Sequence, residues 1–116
     1  MAGKGRVTVV GSFNVDHVWR CTELPLPGQT LTGEYSTGPG GKGFNQATAA
    51  ARAGAATTFV CALGEDVGAL WARALAAADD IHLHGQCSAL PTGTAGIYVD
   101  QAGRNCIVIG AGANSA

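Results

Sequence analysis

Short apolar runs recur along the chain and predict buried strands. Residues 7–11 and 57–62 are almost continuously apolar and rich in β-branched side chains, as in strands covered on both faces. Ile81 and Leu83 alternate with His82 and His84, and this period of two predicts a third strand. The three runs are spaced widely enough to leave room for a helix between neighbours.

Two segments with helical patterns fill these gaps. Residues 44–53 are rich in Ala, the best helix former, and Gly54 follows as a typical stop. The second segment repeats apolar residues at spacings of three and four, which predicts one buried helix face. That face consists of Val67, Leu70, Trp71, Ala74, Leu75 and Ala78.

More polar strand-like runs complete the pattern. Residues 30–37 predict an exposed strand, and residues 94–99 and 105–109 flank a turn containing Gly103, which predicts a hairpin. These strands do not suit the interior of a parallel sheet, so we assign them to a separate small β-layer. Strands alternating with helices indicate the α/β class.

Composition narrows the function classes. The 116 residues suffice for one small domain, and 47% apolar with 13% charged residues indicates a folded globular chain. The net charge of −1, with scattered Lys and Arg, gives no surface for a polyanion, so we expect no nucleic-acid partner.

The four cysteines form no CxxC pair and match no zinc spacing, which predicts reduced core thiols and no metal site. The chain begins without an apolar signal region and has no run of transmembrane length. We therefore expect a cytoplasmic protein with no membrane partner.

A glycine loop, Gly38-Pro39-Gly40-Gly41-Lys42-Gly43, opens the first predicted helix. Glycines permit positive φ and close approach of a ligand, and the first helical N–H groups lack intrahelical partners. Lys42 adds a cation and Asn45 adds a donor and an acceptor. The alternative is an ordinary glycine-rich loop before a helix.

Two phosphate-binding motifs fit this loop poorly. A P-loop needs Ser or Thr after its lysine, but Gly43 follows Lys42. The dinucleotide pattern GxGxxG is matched by Gly38, Gly40 and Gly43, yet it should directly follow the first buried strand. The segment before these glycines is polar, so a dinucleotide-binding domain ranks low.

A second candidate is Asn14-Val15-Asp16, just past the carboxyl end of the first strand, where α/β sheets bind ligands. If the chain is extended there, Asn14 and Asp16 share a face and can hold adjacent hydroxyls. A plain Asn/Asp turn is an equal alternative on this stretch alone.

Other candidates are weaker. His82 and His84 have metal-pair spacing but no supporting carboxylate or Cys, which favours solvent-facing positions. His17 follows Asp16 directly, so the two side chains point to opposite faces of a strand. Trp71 fits the core, while Trp19 is either a packing residue or a wall of a sugar site.

Four segments in order resemble the N-terminal part of ribokinase and its phosphofructokinase-B-type relatives. They are Val10-Gly11-Ser12-Phe13-Asn14-Val15-Asp16, Pro27-Gly28-Gln29-Thr30, Gly40-Gly41-Lys42-Gly43-Phe44-Asn45-Gln46-Ala47 and Ala111-Gly112-Ala113-Asn114. The third segment is specific for the group because it occurs together with the first.

The resemblance implies a partial doubly wound α/β sheet with a small β lid, formed by strands at about residues 18–37 and 94–110, within residues 1–116. It also implies an ATP-dependent carbohydrate kinase that phosphorylates a sugar hydroxymethyl group. The residues that it assigns to the sugar are Asn14, Asp16, Gly41, Lys42, Gly43 and Asn45, with Ala95 and Ile97 in the lid.

In such kinases the ATP pocket, a monovalent-cation site and the catalytic Asp of a Gly-Ala-Gly-Asp motif belong to a C-terminal part. Residues 110–113 look similar but end in Ala113, so we expect no catalytic residue here and an inactive chain on its own. ATP and Mg²⁺ would serve the intact enzyme only. The resemblance also implies a homodimer formed through the lid.

One position departs from the pattern, because Phe44 stands where ribokinase commonly has a small residue. A bulky ring there is expected to reshape the sugar pocket and to leave other pentoses, hexoses or nucleosides open as substrates. The competing hypothesis is a non-catalytic sugar-binding or dimerising module.

Overall fold

The structure is a computed structural model that describes residues 5–115. Its elements, in chain order, are β1 (Arg6–Val10), β2 (Asn14–Arg20), β3 (Glu34–Gly40), α1 (Lys42–Arg52), β4 (Ala56–Leu63), α2 (Val67–Ala78), β5 (His82–Cys87), β6 (Gly93–Val99), β7 (Asn105–Gly110) and a 3₁₀ turn (Gly112–Ser115).

Three strands form a parallel sheet in the order β1-β4-β5. β1 and β4 coincide with the two continuously apolar runs, and α1 and α2 supply the connections that parallel strands require. The core lies between this sheet and the helices, and its largest fully buried side chains are Phe13, Phe59 and Leu63.

The second sheet has four strands in the order β3-β2-β6-β7. The expected hairpin is present as β6 and β7, and the expected separate β-layer is confirmed. The sheet starts earlier than the pattern suggests, because β2 begins at Asn14. β3 also lies later than residues 30–37 and runs through Pro39 to Gly40. Proline is tolerated there because β3 is an edge strand, where no ladder partner needs its missing N–H.

Register divides the four-stranded sheet into two faces. Asp16 pairs with Gly38 on one side and Ala95 on the other, and Ala95 pairs with Ile109. Residues in register share a face. We call this the Asp16 face, and the opposite one, which carries His17 and Trp19, the His17 face.

The chain enters and leaves the four-stranded sheet at residues that lie in, or next to, one row. Gly40, Asn14 and Gly93 lie in register on β3, β2 and β6, and Gly110 ends β7 opposite Thr94. We call these four terminal residues, Gly40, Asn14, Gly93 and Gly110, the junction row. All four connections to the rest of the described chain therefore lie at the same end of the sheet.

α2 presents a different face to the core from the one predicted. Val67 and Leu70 are 80% and 68% exposed, whereas Ala69, Ala72 and Ala76 are buried. The small residues let the helix lie close to the sheet, and a pattern weighted by side-chain size misses this. Trp71 and Leu75 pack at the margin of the core, as predicted.

The start of α2 is tied to the start of β6 by one carboxylate. Asp66, the N-cap, accepts hydrogen bonds from Ala69 N (2.9 Å), Thr92 N (2.8 Å) and Thr92 Oγ1 (2.6 Å). Thr92 Oγ1 in turn accepts from Gly64 N (3.0 Å). This network fixes the position of Thr92, which directly precedes Gly93, a member of the junction row.

The four cysteines are free, but only in part core residues. Cys61 is buried, and burial raises the pKa of its thiol to about 11. Cys21 is half-buried, while Cys87 and Cys106 are exposed, so the prediction of core thiols is wrong for these two. Of the helices formed by residues 5–115, none is long and apolar enough to cross a membrane.

Candidate functional site

The glycine segment approaches its own chain rather than leaving open space for a ligand. Gly41 has φ of 93°, and a Cβ there would lie 2.5 Å from Ser12 O. A Cβ on Gly43 would lie 2.7 Å from the Cα of Gly11. The glycines are therefore required for the crossing of residues 41–43 over residues 11–13, which seats the start of α1 against the start of β2.

The N-terminus of α1 offers backbone donors at this crossing. Phe44 N donates to Ser12 O (3.1 Å) and Asn45 N donates to Gly41 O (3.0 Å). The preceding amides, of Lys42 and Gly43, donate to no acceptor within residues 5–115. Gly41 has no side chain to cap them, so they remain available to a ligand oxygen.

Asp16 leans over the same helix start. A Cβ on Gly40 would overlap both oxygens of the Asp16 carboxylate, so a larger residue at position 40 would displace this side chain. The carboxylate is half-buried and accepts no hydrogen bond from the described residues. Burial raises the pKa of Asp16, and the neighbouring His17 opposes this only partly. The site thus holds an unpaired acceptor next to unpaired backbone donors.

Asn14 lies beside Asp16 in the extended conformation that the hypothesis required, with both side chains on the Asp16 face. Asn14 is 8% exposed. Its Oδ1 accepts a hydrogen bond from Asn114 Nδ2 (2.8 Å), which also donates to Phe13 O (3.2 Å). The plain turn considered as an alternative is therefore excluded for this segment.

Lys42 and Asn45 lie on the first turn of α1, and both side chains are exposed. No side-chain hydrogen bond joins either of them to Asn14 or Asp16. The structure therefore places these four predicted residues near the start of β2 and of α1, without side-chain hydrogen bonds between the two pairs. Gly43 is buried at the crossing and can contribute only its backbone.

An apolar surface continues from Asp16 across the sheet. Ala95 is buried, Ile97 is half-buried, and both share the Asp16 face. Ile107 and Ile109 on β7 extend this surface and are 51% and 61% exposed. Sequence reasoning missed these two, although their alternate spacing in the predicted hairpin marks them as one face.

The His17 face carries an aromatic cluster. Trp19 stacks on Tyr98 (5.4 Å between ring centroids) and packs on Tyr35 (5.2 Å), while His17 Nδ1 lies 2.7 Å from Tyr35 Oη. Trp19 is therefore a packing residue and no wall of the candidate site. His17 likewise points away from Asp16, as predicted.

A cavity of about 580 Å³ also opens on the His17 face, between β2 and the start of α2. Its lining includes Val15, Tyr35, Val67 and Trp71, and its carboxylate, Asp66, is already saturated by hydrogen bonds. Outside the Asp66–Thr92 network its polar side chains are His17, Tyr35, Thr37 and Thr94, so it offers no unpaired carboxylate to sugar hydroxyls, in contrast to the Asp16 face.

Phe44 is a core residue, whereas His82 and His84 are surface residues. Phe44 is 6% exposed, and its ring packs edge-to-face on Phe13 (5.2 Å) and Phe59 (6.1 Å). The expectation that this ring reshapes a sugar pocket is wrong, because the side chain points into the core. His82 and His84 are exposed as predicted, and residues 5–115 contain no cluster of three metal-ligating side chains.

Comparison with known proteins agrees with this arrangement. The family described as pfkB family carbohydrate kinase matches residues 4–116. Ribokinase from Haemophilus influenzae is 43% identical over 113 residues, which are 94% of this chain and 37% of that protein. Mouse ribokinase is 42% identical over 114 residues, covering 93% of this chain and 34% of its own length. The chain thus spans about a third of the length of these relatives.

Solved structures give the same result. Giardia lamblia ribokinase superposes with a TM-score of 0.89 at 37% identity, covering 96% of this chain and 37% of that one. Arabidopsis thaliana ribokinase, solved with ribose and ATP, gives 0.79 at 37% identity with the same two coverages. These matches confirm the partial α/β fold with its second sheet. The chain therefore belongs to the pfkB family of carbohydrate kinases.

Proposed function

We propose that this chain forms the sugar-binding part of an ATP-dependent kinase for ribose or a similar sugar. The observation that carries the proposal is the pairing of Asn14 and Asp16 on one sheet face, directly against the free N-terminus of α1. An amide, an unpaired carboxylate and unpaired backbone N–H groups together offer both donors and acceptors to adjacent hydroxyls.

The surroundings of this pair suit a sugar as well. In the proposal, Ala95, Ile97, Ile107 and Ile109 form the lid, whose apolar face covers the carbon skeleton while the polar end holds the hydroxyls. The Phe44 ring lies in the core, so the residue that had put ribose in doubt gives no reason to exclude it. The relative solved with ribose and ATP has this same fold.

The described residues do not fit ATP or Mg²⁺. They contain no cluster of three acidic, His or Cys side chains, and Gly43 follows Lys42 where a P-loop needs Ser or Thr. We therefore assign this chain to sugar binding and orientation, and place ATP, Mg²⁺, any monovalent cation and the catalytic base elsewhere in the intact enzyme. The free thiols fit a cytoplasmic location.

The test is calorimetric titration of the intact protein that carries this chain with D-ribose in the absence of ATP. Asp16→Asn keeps the shape of the side chain but removes its charge, and should weaken ribose binding at least about tenfold. Glu34→Gln is the matched control, because it removes a carboxylate from the opposite end of the same face. It should leave binding unchanged.

Two results would contradict the proposal. Wild-type protein that is demonstrably folded but binds no pentose would remove the sugar-binding role. Equal loss of ribose and ATP affinity in Asp16→Asn would mean that the residue supports the fold rather than the sugar.

A dimerising role for the lid is a second candidate. Ile107, Val108 and Ile109 on the edge strand β7 are 51%, 69% and 61% exposed, and an apolar edge strand is a natural pairing surface. The proposal is a homodimer through this strand. Val108→Lys should yield a monomer in sedimentation analysis, and an unchanged molecular mass would refute it.

A further inference from the structure

We propose that Asn114 is a positioning residue that sets the orientation of the Asn14 side-chain amide for sugar binding. This inference rests on the proposed function of Asn14. It concerns a segment, Ala111 to Asn114, to which the proposed function gives no role.

The orientation of Asn114 is fixed by chemistry. Its amide end contacts Phe13 O at 3.2 Å, and a backbone carbonyl can only accept a hydrogen bond. The contacting atom must therefore be the nitrogen Nδ2. A flipped Asn114 would place Oδ1 against Phe13 O, with two acceptors facing each other.

This orientation dictates that of Asn14. Asn114 Nδ2 also lies 2.8 Å from the Asn14 amide, and the atom that it meets must be an acceptor, which is Oδ1. Asn14 Nδ2 then points away from Asn114 and donates to no acceptor among residues 5–115. Within that range, the fully buried side-chain atom that lacks a hydrogen-bond partner is Thr48 Oγ1. Asn14 Nδ2 also lacks a partner there but is not fully buried, so it reaches solvent.

The result is a defined polarity at the site. Asn14 presents a donor on the Asp16 face, and Asp16 presents acceptors two residues further along the strand. Two neighbouring hydroxyls can satisfy this pair by accepting from Asn14 and donating to Asp16. With Asn14 flipped, both side chains would offer acceptors and the hydroxyls would lose a donor partner.

The pair also lies close against the backbone of β6. Gly93 lies in register with Asn14, and a Cβ there would overlap both Asn114 Nδ2 and Asn14 Oδ1. The Asn114–Asn14 hydrogen bond thus lies directly over the backbone of β6. Asn114 itself is held by the backbone bond from Asn114 N to Ala111 O (3.0 Å) in the 3₁₀ turn.

A double-mutant cycle on ribose affinity tests the inference in the intact protein that carries this chain. Asn114→Ala should weaken ribose binding about tenfold, the usual effect of one lost hydrogen bond. In the Asn14→Ala background the same change should alter affinity less than about twofold, because Asn114 acts through Asn14. Its effect on thermal stability, through the bond to Phe13 O, should persist in both backgrounds.

Asn114→Asp gives a second measurement that preserves the shape of the side chain. A carboxylate cannot donate a hydrogen bond to Asn14 Oδ1, and it attracts Asn14 Nδ2. The Asn14 amide would then turn Oδ1 instead of Nδ2 towards the sugar. This variant should bind ribose more weakly than Asn114→Ala. It also carries the test if either alanine variant fails to fold.

The outcomes separate the two proposals. If Asn14→Ala and Asp16→Asn both leave ribose affinity unchanged, the proposed function fails and this inference fails with it. If those two variants lose affinity but Asn114→Ala does not, only the role of Asn114 is overturned. Equal losses from Asn114→Ala in both backgrounds would also overturn it, since they indicate an effect on the fold alone.

Discussion

Replacing Asp66 by Ala should destabilise the fold strongly, because one carboxylate serves two elements. It caps α2 through Ala69 N and accepts two hydrogen bonds from Thr92, which is 4% exposed. Burial alone would raise the pKa of Asp66, but the hydrogen bonds from Thr92 and Ala69 outweigh it and hold the pKa below its usual value.

The magnitude follows from the groups that lose partners. Removing an N-cap side chain costs about 1 kcal/mol. Leaving the buried Thr92 N–H without an acceptor adds about 1–3 kcal/mol. The sum, about 2–4 kcal/mol, is a large share of the roughly 5–15 kcal/mol that stabilises a typical domain. For an unfolding unit of 116 residues it corresponds to a fall in Tm of roughly 8–16 °C, and the fall is smaller if the intact protein unfolds as one longer unit.

Thermal unfolding of the intact protein measures the effect. The neighbouring Glu65→Ala is the matched control, because Glu65 is exposed and makes no side-chain hydrogen bond in the described range. Since the folded pKa of Asp66 is lowered, its stabilisation is present above the usual carboxyl pKa and is lost as the pH falls through the folded value. Asp66→Ala should remove that acid-sensitive component. A fall in Tm no larger than that of Glu65→Ala would refute the reasoning.

Three further results are expected. Burial raises the pKa of Asp16, so ribose affinity should begin to fall on acidification at a pH above the usual carboxyl range. Asp16→Asn should raise the Tm at neutral pH, because it removes a partly buried charge. A ribose affinity that stays unchanged until the pH reaches the usual carboxyl pKa would contradict this. Gly43→Ala should lower Tm sharply because its Cβ has no room, whereas Gly38→Ala meets nothing within 4 Å and should not; equal Tm values would exclude the crossing described. In the folded protein a thiol reagent should modify Cys87 rapidly and Cys61 only on unfolding, and comparable rates would argue against burial of Cys61.

The strands that consist of continuous apolar residues were predictable from sequence. The runs at residues 7–11 and 57–62 became β1 and β4, as continuous apolar, β-branched residues predict. The expectation that both faces are covered is wrong for β1, in which Val9 is buried but Val10 is 77% exposed. The face of α2 was not predictable in this way. Val67 and Leu70 dominate any hydrophobicity pattern, but the helix docks through Ala69, whose value lies in its small size.

The candidate site was predictable in its residues and not in its geometry. The spacing of Asn14 and Asp16 placed them on one face once the chain was extended, as it is in β2. What sequence could not show is that Gly41 and Gly43 serve the crossing over Gly11, because contacts between distant segments leave no local pattern. The hydrogen bond from Asn114, a hundred residues away, is hidden for the same reason.

The junction row has a mechanical consequence. The four-stranded sheet is attached at one end only, like a cantilever, and three of the four attachment residues, Gly40, Gly93 and Gly110, are glycines. Small torsional changes there swing the free ends of the strands, about 20 Å away at the rise of an extended chain. In such a motion Asn14, at the attached end, would be displaced least, and Ile97 and Ile107, further along the strands, would be displaced more. A ligand can therefore bind first at the attached end of the sheet, beside Asn14, and be covered by the free ends of the strands afterwards.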